Sequence, residues 1–543
     1  MKLSFSPPSL FFLLTVRHGL PQPTPKSTFL SFMKDTNLTW SDFAPAEYAS
    51  HLSSAPQHDD RHRNSFDLLP PAPLLRAPRT GHAAMMPPTP DDEELIRIRR
   101  RVSGSLRSPI LSPRQQAEAG SGGAVIKVDD YGGDPDGVAD STDAFEKAIA
   151  AALEHWDGTY LAEGIKNLGG VVISLDGGRY IVSKSVVIPR GYGNLHMRDG
   201  TIKATDTFPA ECYLVATGSD GCSDEEESSA DFNEHLSFSN LMLDGSNVAY
   251  GVLWLHHLIG GVVGPSNLLL GFQERGVYIR LGHEVIVEST WMGQYLFSDK
   301  RKAENQTATA IRISANDHVV SNVVIFSAKV AVVDRGAGNT FVGLHSWNGS
   351  GTCLISQGYN TRILGSYPDF NDLILMNPYH VTVTNSFFLG GAQIILKADR
   401  AGEDGDTRRA PTIEGLVVRA NTFDFSDESI MLVEGNFDSV EDTYIGANVV
   451  SKNMTAVSTS SVRQLHLTNA TKWDFDFSDE LLFPSIQRVQ YSLELDDAQP
   501  LVRHASRPAK GTHVVVETDV PVSGTVTVWV DQSKMSQMGG LSA

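Results

Sequence analysis

Between Asn316 and Phe388 the apolar and polar positions fall into a short phrase that recurs. It reads NDHVVSNVVIF from Asn316, GNTFVGLHSW from Gly338, YNTRILGSY from Tyr359 and YHVTVTNSFF from Tyr379. Each unit is a polar turn, an alternating β-branched strand, an aromatic, then a loop and another apolar strand. Aligning the apolar residue that follows each turn gives Val320, Val342, Leu364 and Val383, at steps of 22, 22 and 19 residues. A fixed period of about twenty residues marks a solenoid, and the 3.6-residue periodicity of helical repeats is missing. The pattern predicts an all-β chain wound as a right-handed parallel β-helix.

The flanks divide the chain into three parts. Residues 1–120 carry scattered Pro, Ser, His and Arg without sustained periodicity, and are expected to form a disordered extension. Within them, Lys2 and the run LFFLLTV resemble a minimal secretory signal. Residues 121–470 hold the solenoid. It opens with the strand VIKV and a helix through AFEKAIAAALEH, for which Ser141 or Thr142 is the expected cap. That helix should cover the open end of the first coil, whose strands would otherwise be exposed edges. GLVVRANTFDF and DTYIGANVVS add two late coils. From 471 to 543, RVQYSLEL, HVVVETDV and GTVTVWVD between Pro and Gly turns read as a small antiparallel unit.

Composition narrows the function. A net charge of −20 argues against a nucleic-acid or anionic-membrane partner, and no run is long enough to span a bilayer. The same charge suits an acidic substrate only if the cleft is locally basic. Cys212, Cys222 and Cys353 are too few for a disulfide scaffold, although Cys212 and Cys222 could bridge one loop. Asp129, Asp130, Asp134, Asp136 and Asp140 crowd one turn. In an EF-hand register Gly132 would stand where a carboxylate is required, so a plain turn is expected and no metal or cofactor.

The opening DYGGDPDGVADSTDAF with GGVVISLDGGRYIV resembles the pectate-lyase-like superfamily. GHEVIVESTWMGQ, ANDHVVSNVVIFSA, GNTFVGLHSWN, PYHVTVTNSFFLG and the tail DFSDELLFPSIQRVQY…VVVETDVPVSG resemble the plant quartet-type polygalacturonases, over roughly residues 124–533. The resemblance implies a parallel β-helix that hydrolyses α-1,4-linked galacturonan in the cell wall. Such a protein would be secreted and monomeric, with pectic polysaccharide as its partner. Classical polygalacturonases carry Asn-Thr-Asp, Asp-Asp, Gly-His-Gly and Arg-Ile-Lys motifs on neighbouring coils, and none stands intact within the repeats here. Gly282-His283 is followed by Glu284.

Candidate chemistry is therefore sorted by position in the repeat. Gly282-His283, Asn316-Asp317-His318, Gly338-Asn339-Thr340 and Asn360-Thr361 share one corner, where polar side chains usually satisfy backbone groups between coils. His283 and Asp317 are read as structural. The loops after the aromatics are the expected site, because loops on a rigid scaffold carry function. They hold Asp299, Lys300, Arg301, Lys329, Asp369, Asp372 and the run to Lys397. Inverting glycoside hydrolysis needs two carboxyls ~6.5–9.5 Å apart. Asp369 is the expected first member, with Asp299 or Asp372 as partner and His345 as the residue that tunes or orients it. Asp299 lies three coils away, ~14 Å at the strand spacing. Lys300, Arg301, Lys329 and Lys397 are expected to hold substrate carboxylates. N-x-S/T sequons begin at Asn37, Asn305, Asn348, Asn453 and Asn469. Two other readings stay open: a non-catalytic pectin-binding β-helix, and a lyase acting by β-elimination.

Overall fold

The computed structural model describes residues 123–534 apart from 157, 163, 223–231, 295–307, 348–350, 401–409, 425, 427, 452–453 and 497–500. The chain divides at Glu118, and all described residues belong to the second unit, 119–543. The expected 1–120 extension and its secretory signal lie outside the described residues.

One coil shows how the sequence becomes structure. Val330–Asp334, Thr340–Val342 and His345–Trp347 are three short strands joined by turns. Each pairs in parallel with its counterpart one coil on, Thr352–Ser356, Arg362–Leu364 and Tyr367–Pro368. Repetition builds three sheets, called first, second and third in the order a coil visits them. This is the expected β-helix. Inside the second sheet, Val263, Val287, Val320, Phe341, Ile363, Val383, Val418 and Ile445 form one continuous buried row.

That register corrects the alignment read from the sequence by one residue. Val342 and Leu364 sit outside, and Val342 is 36% exposed. Phe341 and Ile363 take the core positions. In a strand a slip of one residue changes the face of every side chain. Apolar residues on both faces hid the slip.

The second sheet turns into the third through a single left-handed residue per coil: Asn322, Gly343, Gly365, Asn385, Ala420 and Ala447, with φ between 52° and 63°. Glycine and asparagine suit that conformation, whereas each alanine carries a steric cost. In the last four of these coils the next residue, Ser366, Ser386, Asn421 or Asn448, is polar and bonds the neighbouring coil, whereas Val323 and Leu344 fill the place in the first two. Ser386 Oγ accepts from the Ser366 amide, Asn421 Oδ1 from Ser386 and Asn448 Oδ1 from Asn421. The corner between first and second sheets works the same way. Asn339 Oδ1 accepts from the His318 amide at 2.8 Å, and His318 Nδ1 from the Val285 amide at 3.0 Å. His283 instead lies exposed there, 3.2 Å from Glu284.

Both ends are closed. Helix α1, Thr142–Leu153, buries Phe145, Ala148, Ile149 and Ala152 over the first coil. Its cap is Asp140, whose carboxylate accepts from the Thr142 amide and hydroxyl, and Ser141 makes no side-chain cap. Asp134 accepts three backbone amides of its own turn, from Asp136, Val138 and Ala139. These acids are spent on turn and cap. At the other end Ser460–Asp476, Arg488–Leu495, His504–Ser506 and His513–Asp531 form an antiparallel sheet around Trp473, Phe475 and Phe477. It begins at Ser460, before the boundary expected at 470. Backbone bonds from Thr459 to Ile445 and from Lys534 to Val440 seat it on the last coil. Cys212 and Cys222 are bridged.

Candidate active site

The loops expected to carry function run along the edge where the third sheet passes into the first. Asp369 sits on this edge. Its amide donates to the Ser346 carbonyl at 2.9 Å, and it pairs with Leu389 of the next coil. Phe370 then takes φ +58°, and Asn371 turns inward to accept the Ser346 hydroxyl at 2.8 Å. The carboxylate is thus held on the outer face of the third sheet. His345 lies one coil away on the same face, with its Nε2 3.9 Å from Asp369 Oδ2. Neither His345 Nε2 nor Asp369 Oδ1 has a hydrogen-bond partner among the described residues, and both atoms are buried. The gap is too long for a hydrogen bond. Catalytic contacts are often loose before substrate arrives. The His345 ring stacks on Tyr367 at 4.4 Å. Burial pushes the Tyr367 phenol up to about 12, and the Asp369 charge adds to the shift.

Asp372 is three residues on but opens a first-sheet strand, on the other side of the edge. Its Oδ1 accepts the Gln393 amide at 3.0 Å. Burial raises its carboxyl above the usual range, with Glu428 and Glu434 adding, while the Gln393 bond opposes. A carboxylate better aligned with Asp369 is Asp424. Asp369 pairs with Leu389, and Leu389 with Asp424, so the two acids share one outward row two coils apart. At the strand spacing this is ~9.5 Å. That is the upper end of the ~6.5–9.5 Å range for inversion and well beyond the ~5–5.5 Å of retention. The sequence contained the clue: in the late coil TFD, aspartate stands where the previous coil has leucine.

Asp299, Lys300 and Arg301 lie outside the described residues. Lys329 is exposed on the edge, directly before Val330–Asp334. Lys397 is exposed too but lies elsewhere. It ends the strand Ile394–Lys397, so the chain has already crossed the first sheet toward the opposite corner.

A cluster on the outer face of the first sheet went unforeseen. Trp254 and Tyr278 stack at 6.1 Å, with Arg275 over Tyr278 at 4.5 Å and Arg312 over the same ring at 5.9 Å. His256 and His257 pack beside them, near Arg190 and Arg280. The cluster gathers Arg190, Arg275, Arg280 and Arg312 around one group of aromatic rings. The outward row then continues through Val333, Ile355, Ile374, Ile395 and Leu432, with no carboxylate. The candidate carboxylates Asp369 and Asp424 stand on the third sheet, with Asp372 at the edge. The cluster was illegible because its members come from separate coils.

Burial holds His196, His256 and His318 down to about 4, with neighbouring positive groups helping. Their folded values lie below the ~6.5 of an unfolded histidine, so their stability contribution is present above that pH and is lost as pH falls toward 4. The melting temperature should accordingly drop across this window. A flat profile would show that these rings accept protons without strain.

Residues 125–355 match the family described as Rhamnogalacturonase A/epimerase, pectate lyase-like. Polygalacturonase QRT3 of Arabidopsis thaliana is 32% identical over 446 residues, covering 80% of this chain and 89% of that protein. Among solved structures, ORF18 of Geobacillus virus E2 is 14% identical over 74% of this chain and 77% of its own, with TM-score 0.46. The A-module of Azotobacter vinelandii mannuronan C-5 epimerase AlgE6 is likewise 14% identical, over 61% and 88%, with TM-score 0.38. The match to the Arabidopsis protein covers most of both chains: this chain belongs to the plant polygalacturonases of the pectate lyase-like superfamily.

Proposed function

We propose that this protein hydrolyses the α-1,4-galacturonan backbone of pectin, on the outer face of the third sheet, with Asp369 and Asp424 as the carboxyl pair. The observation that carries the reading is their common outward row beside His345, in a chain related to a polygalacturonase. One carboxyl, protonated, gives its proton to the glycosidic oxygen as the bond to the anomeric carbon breaks. The other, ionised, takes a proton from the water that attacks that carbon from the opposite side. The pair ends with its protons exchanged, and the product anomer is inverted. His345 touches neither bond. It lies against Asp369 and positions it, while Lys329 meets substrate carboxylates as a charge-assisted partner. The protein is proposed to act as a secreted monomer in the wall, with Asn469, exposed on the C-terminal sheet, as a glycan site.

The test is purified protein with polygalacturonate. New reducing ends without ultraviolet-absorbing unsaturated products, and an inverted first anomer by NMR, are expected. Unsaturated ends would establish a lyase instead. Binding without either product would leave a wall-binding β-helix.

A further inference from the structure

The outer face of the third sheet carries more than the carboxyl pair. Trp291 packs against Phe326 with ring centres 6.2 Å apart, and Phe326 against Trp347 at 6.1 Å. Trp347 shares its strand and face with His345, whose ring stacks on Tyr367, and Tyr367 lies 5.2 Å from Phe387. The rings thus form one stripe along the solenoid axis. It reaches the Asp369–Asp424 row at one end and stops at Trp291 at the other. From Trp291 through Val324 and His345 to Tyr367 is three coils, ~14 Å at the strand spacing. Most of these rings cover one another, as ladders in any β-helix can. Trp291 does not fit that account: it ends the stripe, pairs with Leu268 and Val324, and leaves 53% of itself to solvent.

We infer that Trp291 is a substrate-stacking residue: a galacturonan chain lies along this stripe, with its scissile bond at Asp369 and Asp424 and a distant sugar ring seated on the Trp291 indole. This rests on the hydrolase reading for the position of the cleaved bond. The chemistry matches the chain at both levels. A sugar ring offers an apolar C–H face to an aromatic plane, and aromatic rings with a few placed polar groups are the common make-up of ligand sites. Galacturonate also carries a carboxylate per unit, and Lys329 stands exposed on the adjoining edge, three residues after Phe326. A chain running along the axis meets rings and this cation together, whereas one lying along the strands would meet a single coil.

The experiment measures KM, kcat and binding for galacturonate oligomers of increasing length, in wild type, Trp291→Ala and Trp291→Phe. Trp529→Ala is the control, since Trp529 is 41% exposed on the C-terminal sheet. For the longest oligomers Trp291→Ala should raise KM roughly fivefold to tenfold, the size of one aromatic contact. The effect should shrink as the oligomers shorten, with kcat falling far less than KM rises. Trp291→Phe should recover part of the loss, and Trp529→Ala should match wild type. A length dependence in Trp291→Ala identical to wild type overturns the inference, as does a loss equal at every length. So does failure of the wild type to bind long oligomers. Trp291-dependent binding without cleavage would uphold the stacking residue and sink the hydrolase.

Discussion

Asp369→Asn should abolish most turnover, by ~10²–10⁴-fold, because one of two acid–base groups is removed. The same change should leave the melting temperature nearly unmoved. Asp369 is fixed by its backbone, and among the described residues its side chain has only the loose approach of His345. Asp424→Asn should match it in size, and the double variant should be little worse than either single one, since the two act as a unit. Asp372→Asn is the discriminating comparison. Its carbonyl can still accept the Gln393 amide, so the loop keeps its shape and activity should hold within a few-fold. An inactive Asp372→Asn beside an active Asp424→Asn would move the second carboxyl across the edge, to the partner first expected from the sequence. His345→Ala should lower turnover less than Asp369→Asn, because it removes a positioning contact and a ring stacked on Tyr367 rather than a proton carrier.

Why one carboxyl was legible and the other not follows from what a repeat displays. Asp369 stands in a loop two residues after Tyr367, and the loop is visible as a break in the phrase. His345 is one period upstream of Tyr367, so its neighbour could be read by alignment. Asp424 is inside a strand of a late coil, after a segment whose length departs from the period. The aspartate in TFD marks the position in the sequence, but it takes the pairing Asp369–Leu389–Asp424 to show that it shares a row with Asp369. The same limit explains the slip at Val342 and Leu364. Period and alternation define coils and faces, but where both faces are apolar they do not say which is inside. The corner read as structural is so for His318 and Asn339 and not for His283, which lies exposed beside Glu284. His318 and Asn339 bond backbone across coils at one, and the candidate acids stand at the other. The basic cluster around Trp254 and Tyr278 draws its members from four coils, and no local pattern announces it.

Asp334→Ala should be the most damaging single change away from the site. Asp334 points into the solenoid, fully buried between Ile313 and Ser356. Its Oδ1 accepts from Asn339 Nδ2 at 2.7 Å and from the Gly336 amide at 3.2 Å, and its Oδ2 accepts from the Thr361 hydroxyl at 2.8 Å. Asn339 in turn bonds Ala315 and His318. This polar knot ties the coil of His345 to the coils on either side, one of which carries Asp369. Alanine leaves those donors buried and unpaired, at a cost of about 1–3 kcal/mol for each one left unsatisfied. The melting temperature should fall by several degrees. Asp334→Asn probes the charge. Burial raises the Asp334 carboxyl above its ordinary value, although three donors pull it the other way. A raised folded value means that stability is greatest below ~3.9, the unfolded value, and is lost as pH rises through the folded one. The penalty of Asp334→Asn relative to wild type should therefore shrink as pH rises above ~3.9. A penalty that grows with pH would mean that the three donors outweigh burial, and that the knot holds a carboxylate from the start.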